Sequence, residues 1–174
     1  MIITAGEFKG QKIIAPDENI TRPTLSKVRM AVFNTLQSLC DFEGLSFYDM
    51  YAGSGIMGLE ALSRGFSKLM ASEKNPKVAN ILKNNYKKFS TQKDIKFFLG
   101  DALKIAQKQN EQFDVVYIDP PYFSGIYEKS LDAVKHFAQL VIIEHVTDVD
   151  LTNWDVLKQK TYGGKTISFL QIKH

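Results

Sequence analysis

The chain has 174 residues, of which 44% are hydrophobic and 24% charged, and its net charge is +3. These values fit one globular domain with a small extension, and no apolar run is long enough to span a bilayer. The single cysteine, Cys40, excludes an internal disulfide and favours a reducing cytoplasm, and the N-terminus lacks a signal-peptide pattern. The three histidines lie far apart in sequence, so no metal site is expected.

Residues 1–41 predict an N-terminal extension ahead of a main domain at residues 42–174. Polar and apolar residues alternate around two glycines from Ile3 to Ile14, which is typical of a short hairpin or ribbon. A loop follows, and Thr24 or Ser26 then caps a helix with one apolar face. Basic side chains on these elements suit contacts with nucleic acid phosphates: Lys9, Lys12, Arg22, Lys27 and Arg29.

Further features favour a nucleic acid partner. Phe8 is expected to be an exposed aromatic among the basic residues of the extension. Nine basic residues face two acids between Arg64 and Lys96, whereas ten acids face four bases between Asp101 and Asp155. Such a basic stretch fits polyanion binding, although lysines on exposed helix faces are also ordinary solvated surface. Alternatively, the extension only packs over one mouth of the main domain.

The rest of the chain is organised around a strand, a glycine turn and a helix. Residues 45–51 form an apolar run with several aromatic side chains, which predicts a buried strand. The run ends in Ala52-Gly53-Ser54-Gly55, and the apolar pattern that resumes at residues 56–62 predicts a helix. Such a turn points backbone N–H groups and a helix N-terminus at a ligand, and its glycines allow close approach.

The glycine turn matches the G-x-G-x-x-G pattern of dinucleotide-binding folds, and Glu73 follows at a spacing that suits a ribose diol. Asp49 argues against a dinucleotide, because its negative charge would lie beside a pyrophosphate. That charge suits a ligand with a cationic end, such as S-adenosylmethionine (AdoMet), which carries an ammonium and a sulfonium. A dinucleotide site and a turn that binds nothing both stay open at this point.

Beyond residue 66 the pattern continues to alternate strands and helices. A second strand ends at Glu73, and Asn75 with Pro76 starts a long basic helix that runs to about Phe89. Asp101 follows a third strand, where it would accept a hydrogen bond from an adenine amino group. The next segments predict a helix at 103–109, a strand at 113–118 and, after a loop, a helix that ends at about residue 137. A strand at 139–144 and a closing hairpin of 154–160 and 166–172 follow.

The strand at 113–118 ends in Asp119-Pro120-Pro121-Tyr122, at the sheet edge where open α/β folds bind ligands. The Asp119 carboxylate and the Pro120 carbonyl are placed to accept both hydrogens of an exocyclic NH2 group. Two acceptors direct the nitrogen lone pair at a methyl donor. Tyr122 offers a flat face on which a base can stack, and Phe123 follows in a predicted active-site loop.

In this order, these features resemble the AdoMet-dependent amino-methyltransferases of nucleic acids. With Ile3–Ile14, Arg22-Pro23-Thr24, residues 60–65 and residues 142–145, nearly the whole chain resembles the bacterial 16S rRNA guanine-N2 methyltransferases, the RsmD family. The resemblance implies an α/β, Rossmann-like class I methyltransferase fold, a seven-stranded, mostly parallel sheet with an antiparallel last strand. It also implies a cytoplasmic monomer, without metal, that acts on one guanine of 16S rRNA, naked or within a small-subunit particle.

The resemblance assigns roles to individual residues. Those expected to bind AdoMet are Asp49, Ala52, Gly53, Ser54, Gly55, Glu73, Asp101 and Asp119. Those expected to act in catalysis are Asp119, Pro120, Pro121 and Tyr122, and those expected to bind substrate are Lys9, Lys12, Arg22, Arg29, Tyr122 and Phe123.

Two stretches depart from the family pattern. Met30 stands where the family's helix usually carries an acid, and Tyr162 to Thr166 matches the family's ending only loosely. Neither is expected to touch the AdoMet site. The Asp-Pro-Pro-Tyr motif alone does not separate RNA guanine from DNA adenine, so a DNA adenine-N6 methyltransferase stays open. A non-catalytic nucleic-acid-binding protein on the same fold and a nicotinamide-dependent oxidoreductase stay open as well.

Overall fold

The structure is a computed structural model that describes residues 1–17 and 25–173. Strands and helices alternate along most of the chain. In order they are α1 (Ser26–Gln37), β1 (Ser46–Asp49), α2 (Ile56–Ser63), β2 (Lys68–Glu73), α3 (Pro76–Lys87), β3 (Asp94–Leu99), α4 (Ala102–Gln107), β4 (Phe113–Ile118), α5 (Ile126–Val134), β5 (Ala138–His145), β6 (Trp154–Tyr162) and β7 (Lys165–Ile172).

The strands form one seven-stranded sheet in the order β3-β2-β1-β4-β5-β7-β6. Strands β1 to β5 run parallel, and β7 is antiparallel to both of its neighbours, β5 and β6. This arrangement confirms the predicted Rossmann-like sheet. The strand order reverses between β1 and β4, so a crevice is expected at the carboxyl ends of these two strands.

Helices cover both faces of the sheet, which is why all four residues of β1 are buried. One hydrophobic core joins one face to α1, α2, α3 and the N-terminal ribbon. The other core joins the opposite face to α4 and α5. The central strands therefore lie between two packed layers, from which the loops at their carboxyl ends emerge.

The N-terminal segment is a ribbon, as predicted, with one isolated antiparallel bridge between Ile2 and Lys12. Phe8 is buried, contrary to the expectation that it is exposed. The residue is 4% exposed, and its ring lies 4.7 Å from the ring of Phe89, because the segment just after α3 packs on the ribbon. Phe8 is therefore a core residue of the extension, and the prediction that its ring contacts nucleic acid is wrong.

Arg29 is also placed differently from the expectation of a substrate contact. Its side chain is fully buried, and it donates to the Glu60 carboxylate at 3.1 Å and to the Ile2 carbonyl at 2.7 Å. The same Glu60 carboxylate accepts backbone N–H groups from Thr4 and Ala5. Arg29 therefore joins the ribbon to α1 and α2 instead of facing a nucleic acid.

Arg22, Pro23 and Thr24 lie outside the described residues, so the substrate role expected of Arg22 stays a prediction. Helix α1 has Leu25 at its N-cap position, without a side-chain cap, and Ser26 is its first residue instead of the predicted cap. Within residues 1–17 and 25–173, no helix is long and apolar enough to cross a membrane.

Candidate active site

The crevice at the strand-order reversal is a cavity of about 830 Å³. It collects most of the site residues that the sequence predicts: Asp49, Ala52, Gly53, Ser54, Glu73, Asp101, Asp119, Pro120, Pro121, Tyr122 and Phe123. Gly55 shapes the turn without lining the cavity, and Lys9 and Lys12 are exposed on the ribbon, away from the lining. The cavity therefore unites the predicted cofactor and catalytic residues with one predicted basic residue, Lys27, whereas Lys9, Lys12 and Arg29 do not line it.

The glycine turn needs glycine at two positions for different reasons. Gly55 has φ +82° at the N-cap of α2, and a Cβ there would lie 2.4 Å from Cε1 of Tyr86. A Cβ on Gly58 would lie 2.6 Å from Cδ1 of Leu69. The turn and the start of α2 thus pack directly on α3 and β2, and the N-terminus of α2 is held at the cavity.

Glu73 is fixed at the end of β2 by two backbone groups. Its carboxylate accepts the N–H of Gly53 at 3.0 Å and the N–H of Asn75 at 2.8 Å. A carboxylate oxygen can accept more than one hydrogen bond, so the half-buried side chain, with one donor on each oxygen, retains acceptor capacity at the cavity that it lines. This geometry suits a ligand that carries neighbouring hydroxyl groups.

Asp49 lies at the floor of the cavity and is 1% exposed. Its Oδ2 atom has no hydrogen-bond partner. Burial raises the pKa of Asp49 to about 8, against a hydrogen bond from the Gly58 backbone that lowers it, and the nearby carboxylates Asp119, Glu73 and Glu144 raise it further. A buried carboxyl oxygen without a partner is costly, and a cationic ligand group in the cavity would relieve that cost.

Asp101 caps α4, since its Oδ1 accepts the N–H of Lys104 at 3.1 Å. Its Oδ2 lies 3.8 Å from the Lys74 ammonium. The side chain still lines the cavity, so the adenine contact expected of it is sterically open. The predicted cap of α3 is confirmed, because Asn75 accepts from the N–H groups of Lys77 and Val78.

The Asp-Pro-Pro-Tyr motif follows β4 directly, and all four of its residues line the cavity. Pro120 is buried, whereas Tyr122 and Phe123 are 52% and 56% exposed at the rim. Large exposed aromatic faces beside a carboxylate suit a flat base that enters the cavity from solvent.

The structure adds three residues that sequence reasoning does not assign to the site: Lys165, Glu144 and Tyr117. The Lys165 ammonium lies 3.1 Å from Oδ1 of Asp119 and 2.6 Å from Oε2 of Glu144. Tyr117 donates its hydroxyl to Glu144. A glutamate inside the apolar strand β5 is the one sequence signal for this cluster, since a buried charge needs a partner.

This cluster brings the divergent C-terminal turn to the cavity, because Tyr162, Gly163 and Lys165 line it. The expectation that this turn does not touch AdoMet itself stays a prediction. The cluster also perturbs the motif's carboxyl group. Burial raises the pKa of Asp119, the charge of Glu144 raises it further, and the Lys165 ammonium opposes both, leaving it at about 7. Among the described residues, no group of three or more His, Cys, Asp or Glu side chains could hold a metal ion.

This sheet order, with a glycine turn after β1 and acidic residues at the ends of β1, β2 and β4, defines a class I methyltransferase fold. The chain matches the family model described as conserved hypothetical protein 95 over residues 1–171. The chain belongs to this family, that of the proteins named ribosomal RNA small subunit methyltransferase D.

Two relatives and one solved structure show the extent of the likeness. Ribosomal RNA small subunit methyltransferase D of Haemophilus influenzae is 34% identical, over 92% of this chain and 88% of that protein. YlbH of Bacillus subtilis, named as a candidate rRNA methyltransferase, is 31% identical over 94% of both chains. The Escherichia coli structure named as a candidate methyltransferase, yhhF, has a TM-score of 0.86 at 23% identity, covering 99% of this chain and 98% of that one.

Proposed function

We propose that the protein transfers a methyl group from AdoMet to the exocyclic N2 amine of a guanine in 16S rRNA. The observation that carries this proposal is that the Asp-Pro-Pro-Tyr motif and the glycine turn line the same cavity. The names of the relatives support small-subunit rRNA as the substrate. The rRNA of a bacterial cell would place the enzyme in the cytoplasm.

The residues of the cavity fit AdoMet. Asp49 offers the unpartnered carboxyl oxygen that an ammonium needs, and Glu73 offers fixed acceptors for ribose hydroxyls. Asp101 lies on the same lining, where it can accept from the adenine amine. When bound, AdoMet supplies a methyl group activated by its sulfonium.

The motif then acts on the base. Tyr122 and Phe123 present their rings to the guanine at the rim of the cavity. The Asp119 carboxylate and the Pro120 carbonyl each accept one hydrogen of the amine, which aligns the nitrogen lone pair. As the nitrogen gains a methyl group it becomes cationic, so a carboxylate beside it stabilises that charge and can take the released proton.

Radiolabelled methyl transfer from AdoMet tests the proposal. Unmodified small ribosomal subunits, naked 16S rRNA and duplex DNA are incubated in parallel, and the labelled nucleoside is identified. We expect label in N2-methylguanosine from a ribosomal substrate. Label confined to N6-methyladenine in DNA would retain the fold and discard the rRNA substrate, and no label in any arm would contradict methyl transfer to all three.

Asp119→Ala is the matched inactive variant for this experiment. We expect it to lower kcat by about 100-fold or more, the usual scale for losing a positioned acid–base group. AdoMet binding, measured by calorimetry, should persist because Asp49 and Glu73 are intact, weakened by no more than the single contact expected of Asp119. Near-normal turnover by this variant would remove Asp119 from the mechanism.

A further inference from the structure

The turn between β6 and β7 delivers a lysine to the reacting carboxylate. Gly163 and Gly164 have φ +55° and +80°, which lets the chain reverse in two residues, and Lys165 opens β7 immediately afterwards. The Lys165 side chain is 25% exposed, and its ammonium bridges Asp119 and Glu144. The turn therefore places one cation between two carboxylates on the cavity wall.

Pairing with the buried Glu144 does not by itself explain why the Lys165 ammonium also contacts Asp119. Glu144 is 1% exposed and accepts the hydroxyl of Tyr117 at Oε1, so one lysine contact at 2.6 Å to Oε2 gives each of its two oxygens a partner. Lys165 nevertheless also reaches Oδ1 of Asp119, which leaves Oδ2 as the oxygen without this bond. An acceptor held through one oxygen presents the other in a single direction.

The groups facing Asp119 carry mainly negative or neutral charge. Glu144 approaches from β5 and Asp49 from β1. Tyr117 on β4 and Tyr127 on α5 also interact electrostatically with Asp119. In the described part of the chain, Lys165 is the cation within ion-pair distance of the Asp119 carboxylate.

We propose that Lys165 is a positioning residue for methyl transfer, which binds Oδ1 of Asp119, favours the ionised form of that carboxyl group and leaves Oδ2 to accept from the guanine amine. The proposal rests on the proposed function and adds a residue that neither the glycine turn nor the Asp-Pro-Pro-Tyr motif contains. Its position directly after the hairpin turn also explains how a C-terminal segment outside both motifs takes part in the site.

Removing the cation and removing the competing anion have opposite consequences for Asp119. An opposite charge within about 4–6 Å lowers a carboxyl pKa by about 1–3 units. Lys165→Met therefore raises the pKa of Asp119, since burial and Glu144 then act without opposition. Glu144→Gln keeps the shape of the side chain and lowers the pKa of Asp119, because a repelling charge is lost.

The test uses Lys165→Met, Lys165→Arg and Glu144→Gln, with Lys160→Met as the control for losing an exposed lysine from the same hairpin. Carbon-13 NMR follows the titration of the Asp119 carboxyl in the ligand-free proteins. We expect its midpoint to rise by about 1 pH unit or more in Lys165→Met and to fall in Glu144→Gln. Lys165→Arg should stay near wild type, as should Lys160→Met.

The pH profile of kcat on the ribosomal substrate gives the second readout. The acid limb should move upward in Lys165→Met, so that activity lost at neutral pH returns at higher pH, and downward in Glu144→Gln. A merely structural lysine would lower kcat by one factor at every pH, with the limb unmoved, and that result would overturn the proposal. So would an unchanged Asp119 titration in both variants.

The two proposals fail in different ways. A wild-type protein without methyl transfer to guanine contradicts the proposed function, while the NMR titration of the ligand-free protein still decides whether Lys165 controls Asp119. An active wild type whose Lys165→Met variant keeps its Asp119 titration and pH profile contradicts the role of Lys165 alone. If Lys165→Met does not fold, Glu144→Gln carries the same test with the opposite sign.

Discussion

Asp49 shows how one buried carboxyl can make ligand binding depend on pH. With a pKa raised to about 8 by burial, it is mostly protonated at pH 6 in the ligand-free protein. A ligand ammonium favours the ionised form, so binding should release up to one proton. The affinity for AdoMet should therefore rise with pH between 6 and 8, by at most about tenfold per unit.

Calorimetry with AdoMet at several pH values, in two buffers of different ionisation enthalpy, measures this proton release. Above about pH 8 the ligand's own α-amino group loses its proton, and the gain should stop. Asp49→Asn is the control, since it keeps the shape and removes the titration. An equal pH dependence in that variant would show that another group releases the proton.

At the scale of elements, helix α3 connects the N-terminal ribbon to the glycine turn through Asn85. This fully buried side chain donates to the carbonyls of Ile14 and Ser54, each at 2.9 Å, and accepts the N–H of Ile14 at 2.8 Å. All three partners are backbone groups. The ribbon and the cofactor turn therefore share one anchor.

We expect Asn85→Ala to destabilise the protein and loosen both segments together. Each buried group left without a partner costs about 1–3 kcal/mol. Hydrogen exchange should accelerate around residues 13–15 and 53–55, and the thermal midpoint should fall. Asn84→Ala, at an exposed position of the same helix, is the matched control. Faster exchange at the ribbon alone would show that the turn is held by other contacts.

Local chemistry explains which elements the sequence predicts well. Strand β4 spans Phe113–Ile118 as predicted, and Asn75 caps α3 as predicted, because strand patterns and caps involve neighbouring residues. The glycine turn and the Asp-Pro-Pro-Tyr motif likewise follow strand ends, whose position in a parallel sheet is known in advance.

Residues whose partners are distant in sequence are not predictable in this way. Arg29 looks like a surface base, but it pairs with Glu60, 31 positions away. Lys165 stands in a divergent turn and meets Asp119, 46 positions away. A charge pattern alone does not say whether a basic side chain meets solvent or a buried carboxylate, since that depends on which helix packs over it.

At the scale of the whole molecule, the basic residues are unevenly distributed along the sequence. Only those that are not paired with carboxylates of the protein are good candidates for contacts with a nucleic acid. Of the nine basic residues between Arg64 and Lys96, five lie within 4.0 Å of a carboxylate: Arg64, Lys68, Lys74, Lys93 and Lys96. Lys9 and Lys12 are exposed on the ribbon, on the sheet face that also carries α3. The ribbon therefore remains the better candidate for a phosphate contact than the long basic stretch.

Two double alanine variants separate the effect of where lysines lie from the effect of the protein's net charge on rRNA binding. We expect Lys9→Ala with Lys12→Ala to weaken binding of naked 16S rRNA, whereas Lys129→Ala with Lys135→Ala removes the same charge from α5 and its C-cap on the opposite face. Two lost phosphate contacts should reduce the slope of log affinity against log salt by about 1.4–1.8. Filter binding across a salt series measures this slope. Equal slopes in the two double variants would mean that rRNA responds to the total charge of the protein and not to the ribbon.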